Sequence, residues 1–306
     1  MRLVLFGTGM TANKLMKYSL RKENQIIAVV DNDSQKWGGK CGTYVIESPE
    51  VLKEKTYDKV LVAVINGWMD VYDQLRGMGI PKSRIEVAVG WSRVDYYDDP
   101  LDEIFVMPKK PFVPFEKKPV TSLGHCGGET GKAHARRERE GFFDKYCRGE
   151  GLDIGCGNDP VVPGCSGWDL INGDAQYLDG AEDASFDFVY SSHCIEHMDD
   201  VRVAIKNWFR VVRPGGYLII YGPDRDLYEK RRQLPSRFNP HHKHMFLLGK
   251  AEPPDTLDII EELKQALIGK DYDIEYIKRC SDGWEKGVPE VQSKGEYSFE
   301  IVVRKR

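Results

Sequence analysis

The residues best placed for chemistry sit at the start of the second half of the chain. Leu152-Asp153-Ile154 is an apolar run that ends around an acid, and Gly155-Cys156-Gly157 follows at once. Glycines there let the backbone reach positive φ and approach a ligand closely. Asp169 lies sixteen residues after Asp153, at the end of the next run, Trp168-Asp169-Leu170. A carboxylate there can accept from both hydroxyls of a ribose diol. Gly173-Asp174-Ala175 adds an acid where a loop can meet an adenine edge. A third apolar run, Phe186-Asp187-Phe188-Val189-Tyr190, leads through two serines to His193-Cys194-Ile195-Glu196-His197.

Other spacings suggest other chemistry. His193, Glu196 and His197 have the H-x-x-E-H order of a zinc hydrolase helix, in which the two histidines share a face. The segment follows a strand in an alternating pattern, so no metal site is expected. His193 reads instead as a cofactor contact or general base, and Glu196 and His197 as packing beneath the site. Asn239-Pro240-His241-His242-Lys243-His244 gathers three of the seven histidines in one loop. Loops beyond the C-terminal ends of parallel strands are where open α/β sheets bind ligands. His241, His242 and His244 are therefore candidate acceptor contacts, and His241 and His244, with His193, candidate bases. The thiol of Cys156 has no evident base and reads as small-residue packing inside the glycine turn. Gly127-Gly128-Glu129-Thr130-Gly131-Lys132 imitates a phosphate loop. Cys126 stands where its first glycine belongs and Ala133 where a hydroxyl should bind magnesium, so that reading fails. Arg136 and Arg137 read as a solvated helix face, with capture of an anion as the alternative.

These residues need elements to hold them. Runs at 152–154, 168–170, 186–190 and 217–221 read as strands. Val201, Ile205, Trp208 and Val212 fall at +4, +3 and +4, the stripe of an amphipathic helix, and Arg213-Pro214-Gly215-Gly216 stops it. Leu257, Ile260, Leu263 and Leu267 mark another helix face. Tyr297, Phe299, Ile301 and Val303 alternate as a late strand should.

The first half has the same grammar. Strands at 3–6, 26–30 and 60–65 alternate with helices at about 10–20 and 71–78. Apolar strands between helices imply a parallel sheet covered on both faces. Gly7-Thr8-Gly9-Met10-Thr11-Ala12 joins the first strand to the first helix, and Asp31 ends the second strand, 22 residues after Gly9. That is the context of a dinucleotide fingerprint. About 95 residues leave no room for the second half of a full dinucleotide fold. Pro100, Pro108, Pro111, Pro114 and Pro119 crowd the stretch between the halves, which reads as an extended linker over 96–122. The domains are then 1–95 and 123–306.

Composition excludes several classes. The 306 residues carry 44 Lys+Arg against 48 Asp+Glu, so nothing advertises nucleic acid. The longest apolar runs fall far short of the ~20 residues of a spanning helix, and no signal peptide is evident. Seven dispersed cysteines without a C-x-x-C pair argue against a disulfide framework and for a reducing cytoplasm.

Taken in order, the acid-and-glycine loop, Asp169, Asp174-Ala175, the His193–His197 segment and Val211-Val212-Arg213-Pro214-Gly215-Gly216 resemble a class I S-adenosylmethionine-dependent methyltransferase, of the small-molecule kind called type 11. The resemblance covers about 123–306. It implies that Asp153, Gly155, Cys156 and Gly157 hold the amino-acid part of the cofactor, Asp169 its ribose, and Asp174 and Ala175 its adenine, with His193 at its edge. Where many members have a third glycine, this chain has Asp159-Pro160. An acidic first loop suits a sulfonium cation, which has no phosphate to cradle. The first half resembles, more loosely, small Rossmann-like domains attached to sugar-modifying transferases of bacterial surface-glycan pathways. That implies Gly7, Gly9, Asp31 and Asn66 as contacts to a nucleotide-sugar. The expectation is two tandem Rossmann-like α/β domains, the second with a mostly parallel sheet and an antiparallel edge strand. Its reaction would be methyl transfer to a hydroxyl of a sugar, nucleotide-sugar or glycan precursor in polysaccharide biosynthesis, by a chain compatible with a homodimer. The rivals are a non-catalytic nucleotide-sugar sensor or scaffold and the zinc hydrolase.

Overall fold

The computed structural model describes residues 1–88, 95–120, 128–157, 159–286 and 295–306, with side chains of 128–130 excepted. The chain forms two compact units, 1–111 with 238–240, and 112–237 with 241–306.

The first unit runs β1 (Arg2–Phe6), α1 (Met10–Leu15), β2 (Gln25–Val30), β3 (Lys40–Cys41), β4 (Tyr44–Glu47), β5 (Lys59–Val62), α2 (Trp68–Gly77) and β6 (Ile85–Val87). Its sheet has the order β3-β4-β2-β1-β5-β6, parallel except for β3 against β4. The two-residue side-chain period divides each strand between two cores. Leu3, Leu5 and Leu61 face one, while Val4, Phe6, Val60 and Val62 face the other. Both faces are covered, as the unbroken apolar runs required.

Two expectations fail here. The first helix was expected to reach about residue 20. It stops at Leu15, because Leu20 is drawn into a β-bridge with Phe105. That bridge also corrects the linker. Residues 96–111 belong to the first unit, where Pro100–Glu103 forms a 3₁₀ turn capped reciprocally by Asp99 and Asp102. Leu101, Ile104 and Phe105 are buried in its core. Proline tolerates the first position of such a turn, so the proline count concealed a short apolar docking segment.

The second unit opens with an extended stretch, 112–120, whose Phe115 ring lies 5.1 Å from that of Trp168. Then come α3 (Gly128–Arg139), α4 (Phe142–Tyr146), β7 (Gly151–Ile154), β8 (Cys165–Trp168), β9 (Phe186–Ser192), α5 (Val201–Val211), β10 (Val212–Pro223), β11 (Met245–Leu247), β12 (Thr256–Asp258), α6 (Ile259–Ala266), β13 (Tyr272–Cys280) and β14 (Ser298–Lys305). The main sheet has the order β13-β14-β10-β9-β7-β8. β10, β9, β7 and β8 are parallel, while β14 runs antiparallel to both β10 and the edge strand β13. This is the expected α/β arrangement with an antiparallel edge.

The helix stop is sharper than expected. Asp200 caps α5 by accepting from the amides of Arg202 and Val203, and the stripe Val201, Ile205 and Trp208 is buried. At the other end β10 begins directly at Val212 and carries Pro214-Gly215-Gly216 within it as a register shift. A Cβ on Gly216 would lie 2.4 Å from the Asp187 carbonyl, so only glycine lets the strands approach there. Among the described residues no helix is long and apolar enough to cross a membrane.

Candidate functional site

In the second unit the expected cofactor residues gather beyond the C-terminal ends of β7, β8 and β9. Gly155 and Gly157 are exposed and left-handed, with φ of 79° and 59°. A Cβ on Gly155 would stand 3.0 Å from Cβ of Cys194, so the turn lies against the His193–His197 segment. Asp169 binds the turn directly. Its Oδ2 accepts from the Gly157 amide at 2.7 Å and its Oδ1 from the Leu170 amide at 2.7 Å. A carboxylate has about four lone-pair sites, so capacity for a diol remains. Asp174 Oδ1 accepts from the Gln176 amide, and the Ala175 carbonyl accepts from Trp208 Nε1 at 2.7 Å. The loop meant for adenine is thus anchored to the buried face of α5.

Asp153 sits deeper. It is 2% exposed and its Oδ2 accepts from the Val161 amide at 2.7 Å. Burial pushes its carboxyl up to about 8, the Val161 amide and Arg137 opposing and Asp169 adding. It braces the turn from below, as a positioning residue. Cys156 is half-buried, with Sγ packed where a Cβ on Gly167 would be. Burial, with Asp153 and Asp169 beside it, raises its thiol to about 12, so it is no nucleophile near neutrality.

His193 occupies a strained corner. Its amide donates to the Tyr221 carbonyl at 2.8 Å, completing the β9–β10 ladder, and its own φ is 49°. Left-handed backbone at a side chain this large is uncommon and is held by surrounding structure. The ring is ringed by Tyr221, Tyr228 and Tyr297 at 5.5 to 6.1 Å. Nε2 lies 3.0 Å from Ser298 Oγ and Nδ1 3.6 Å from Glu196 Oε1. Burial, joined by the positive fields of His242, Lys132, His197 and Arg137, lowers its pKa well below the usual imidazole range. It is neutral at neutral pH and can accept a proton.

The helix that would put His193 and His197 on one face, as the rejected zinc-hydrolase reading needs, is not formed. His193 ends the β9 corner, and residues 195–197 form a single 3₁₀ turn. The histidine loop is also sorted. His242 is buried, with Nδ1 2.9 Å from Glu229 Oε1 and its ring stacked on Tyr228. His241 contributes its backbone carbonyl to His197 Nδ1, and His244 Nε2 reaches the Asp199 carbonyl. The loop thereby brings the His242 ring towards Glu196, Nε2 to Oε1 at 3.7 Å.

Sequence reasoning missed the buried charges. Arg136 and Arg137 are neither solvated nor ligand-facing. Arg136 forks onto Glu296 at 2.8 and 2.9 Å and meets Glu300 at 2.9 Å. Arg137 donates to Glu300 at 2.8 Å and to the Tyr190 hydroxyl at 2.7 Å. Lys132, from the false phosphate loop, is on helix α3 and donates to the Tyr297 hydroxyl at 2.6 Å. Cys126 and Gly127 lie outside the described residues.

In the first unit, Gly7, Thr8, Gly9, Asp31, Asn66 and Asp70 line a cavity of about 490 Å³ beyond β1 and β5. Asp31 is 8% exposed there, and its Oδ2 accepts from the Thr8 amide and hydroxyl and from Lys36 Nζ. Burial works to raise its pKa, but the bonds from Thr8, the Asp33 amide and Lys36 outweigh it and hold the carboxyl below its usual range.

Comparison with known proteins agrees with this division. Residues 157–220 match the family described as "Methyltransferase domain", and residues 1–86 the family described as "C2185-like, N-terminal". A probable S-adenosylmethionine-dependent methyltransferase of Mycolicibacterium smegmatis is 38% identical over 76 residues, 25% of this chain. The match spans 28% of that relative's length. A SAM-dependent methyltransferase structure from Archaeoglobus fulgidus is 21% identical, with a TM-score of 0.36, covering 58% of this chain and 95% of its own. A possible histamine N-methyltransferase from Thermotoga maritima is 17% identical, with a TM-score of 0.35, covering 58% and 99%. In the second unit, then, the sequence matches are to a methyltransferase domain over 157–220 and to a stretch of a probable S-adenosylmethionine-dependent methyltransferase.

Proposed function

We propose that the chain methylates a hydroxyl oxygen of a small molecule: a sugar, nucleotide-sugar or surface-glycan precursor. The observation that carries this is the neutral His193 held at the glycine turn within a ring of tyrosines. A sugar hydroxyl holds its proton tightly and needs a base, and aromatic faces with polar tips suit a sugar. The turn fits the cofactor, since its backbone is exposed and the acids Asp169 and Asp174 border it. When bound, the cofactor would supply an electrophilic methyl to the acceptor oxygen, with the S–C electron pair kept by sulfur. With Nε2–H given to Ser298 Oγ, Nδ1 of His193 carries the lone pair and takes the acceptor proton. Glu196, 3.6 Å away, stabilises the imidazolium. Alignment of acceptor and methyl supplies much of the remaining rate.

The crevice of the first unit supports a second element of the reading, capture of a nucleotide-sugar by Gly7, Gly9, Asp31 and Asn66. Asp31 would exchange its Thr8 and Lys36 partners for ligand hydroxyls. A cytoplasmic setting and a homodimer complete the proposal.

The test begins with calorimetric titration of S-adenosylhomocysteine into the full chain. One-to-one micromolar binding is expected. Formation of that same product is then followed with nucleotide-sugars as acceptors. Binding without turnover on any sugar hydroxyl would remove the acceptor class, and absence of binding by folded protein would remove the methyl-transfer reading.

A further inference from the structure

Beside His193 lies a second constellation, built on Glu196, whose two histidines the methyl-transfer reading does not use. Glu196, His197 and His242 offer one ligand atom each, all within 4.8 Å of one another. The Glu196 and His242 side chains are each 3% exposed or less. His242 Nε2 stands 3.7 Å from Glu196 Oε1. That exceeds the ~2.7–3.2 Å of a hydrogen bond. It is close to the edge of a coordination polyhedron, since ligands ~2.0–2.1 Å from a shared ion lie about 3.4 Å apart.

The ring orientations point the same way. His242 Nδ1 faces Glu229 Oε1 at 2.9 Å, and Glu229 is itself held through Oε2 by Ser236 Oγ and the Arg237 amide. His197 Nδ1 faces the His241 carbonyl at 3.2 Å. Each acceptor fixes the proton on Nδ1 and the lone pair on Nε2. This carboxylate–histidine and carbonyl–histidine support is what metal-binding imidazoles need behind them. The Glu196 carbonyl also accepts from the Lys243 amide at 2.8 Å, tying the loop that carries His242 to the turn that carries the other two.

We propose that Glu196, His197 and His242 bind a divalent transition-metal ion, of the zinc or manganese kind, with Glu229 as a positioning residue for His242. Two imidazoles and one carboxylate select such ions over magnesium, which prefers oxygen alone. Three protein ligands leave a position open for an exogenous oxygen. The site stands without the methyl-transfer reading. Its role rests on that reading: the open position takes the acceptor hydroxyl and lowers its pKa. This ligand set differs from the H-x-x-E-H helix, because His193 is replaced by His242 from a distant loop.

The test uses metal-stripped full chain. Calorimetric titration with Zn²⁺ or Mn²⁺ alone should show one-to-one binding. Glu196→Gln and His242→Gln should each weaken it at least ~100-fold, and Glu229→Gln about 10–100-fold. Affinity for S-adenosylhomocysteine, measured on each variant, should stay within about threefold and shows that the fold persists. Co²⁺ added to the unaltered chain should give the intense visible bands of a four- or five-coordinate site, a readout independent of any variant. No stoichiometric Zn²⁺ or Mn²⁺ binding, or unchanged affinity in both ligand variants, overturns the proposal. Metal binding without S-adenosylhomocysteine binding leaves the site standing and removes the methyl-transfer role.

Discussion

Arg137 of α3 and Glu300 of β14 form an ion pair with no exposed surface on either side chain, Nε to Oε1 at 2.8 Å. Glu300 also meets Arg136 at 2.9 Å, so one buried carboxylate serves two guanidiniums. Removing it strands charge in the interior. Glu300→Ala should lower the stability of the second unit by ~3–5 kcal/mol. The double replacement Arg137→Met with Glu300→Leu should recover part of that loss. Denaturant unfolding followed by tryptophan fluorescence, with Trp168 and Trp208 both buried in this unit's core, measures both.

Gly155 and Gly157 offer an internal control on the glycine turn. Both are left-handed, but only at Gly155 would a Cβ meet a neighbour, Cys194 at 3.0 Å. Gly155→Ala should weaken S-adenosylhomocysteine binding about tenfold or more, from ~1–2 kcal/mol of backbone cost plus displacement of Cys194. Gly157→Ala should pay only the backbone cost. Equal effects would mean that Cys194 yields freely.

His193→Gln should reduce turnover ~10²–10⁴-fold while S-adenosylhomocysteine affinity changes less than about threefold. The unaltered enzyme's acidic limb should lie below the ordinary imidazole range, because burial and its cationic neighbours depress the His193 pKa. A limb at or above pH 6.5 would assign the base elsewhere.

Asp153 gives a stability prediction with a definite sign. Its carboxyl titrates near 8 when folded, against 3.8 for the free group. Between those values the folded state binds the extra proton, so raising the pH through this window destabilises the fold. Asp153→Asn keeps an acceptor for the Val161 amide and has no charge to bury. The loss of stability from about pH 5 to 8 should therefore be smaller in the variant than in the unaltered chain, as thermal scans across that range would show.

What the sequence revealed depended on how local the cause was. The turn at Gly155 and Gly157 and the acid at Asp169 were legible because strand, turn and cap chemistry act within a few residues. The stripe Val201, Ile205 and Trp208 announced α5 in the same way. Arg136 and Arg137 were not legible. Their partners Glu296 and Glu300 come about 160 residues later. The alternation of Phe299, Ile301 and Val303 also implied a solvated opposite face, yet Ser298, Glu300 and Val302 are buried too. His242 was read only as an acceptor contact, while His241 and His244 were also candidate bases, because its support from Glu229, thirteen residues earlier, is a tertiary contact.

The placement of β14 between β10 and β13 has a consequence for the order in which the chain is made. During synthesis β10 leaves the ribosome long before its partner and exposes an unpaired edge along Tyr217–Pro223. In the same interval Arg136 and Arg137 wait without the carboxylates that let them be buried. The nascent second unit is then an open sheet beside unmatched cations, a form prone to pairing with the wrong strand. Sealing of the β10 edge and neutralisation of the two arginines therefore both depend on the one segment 296–305.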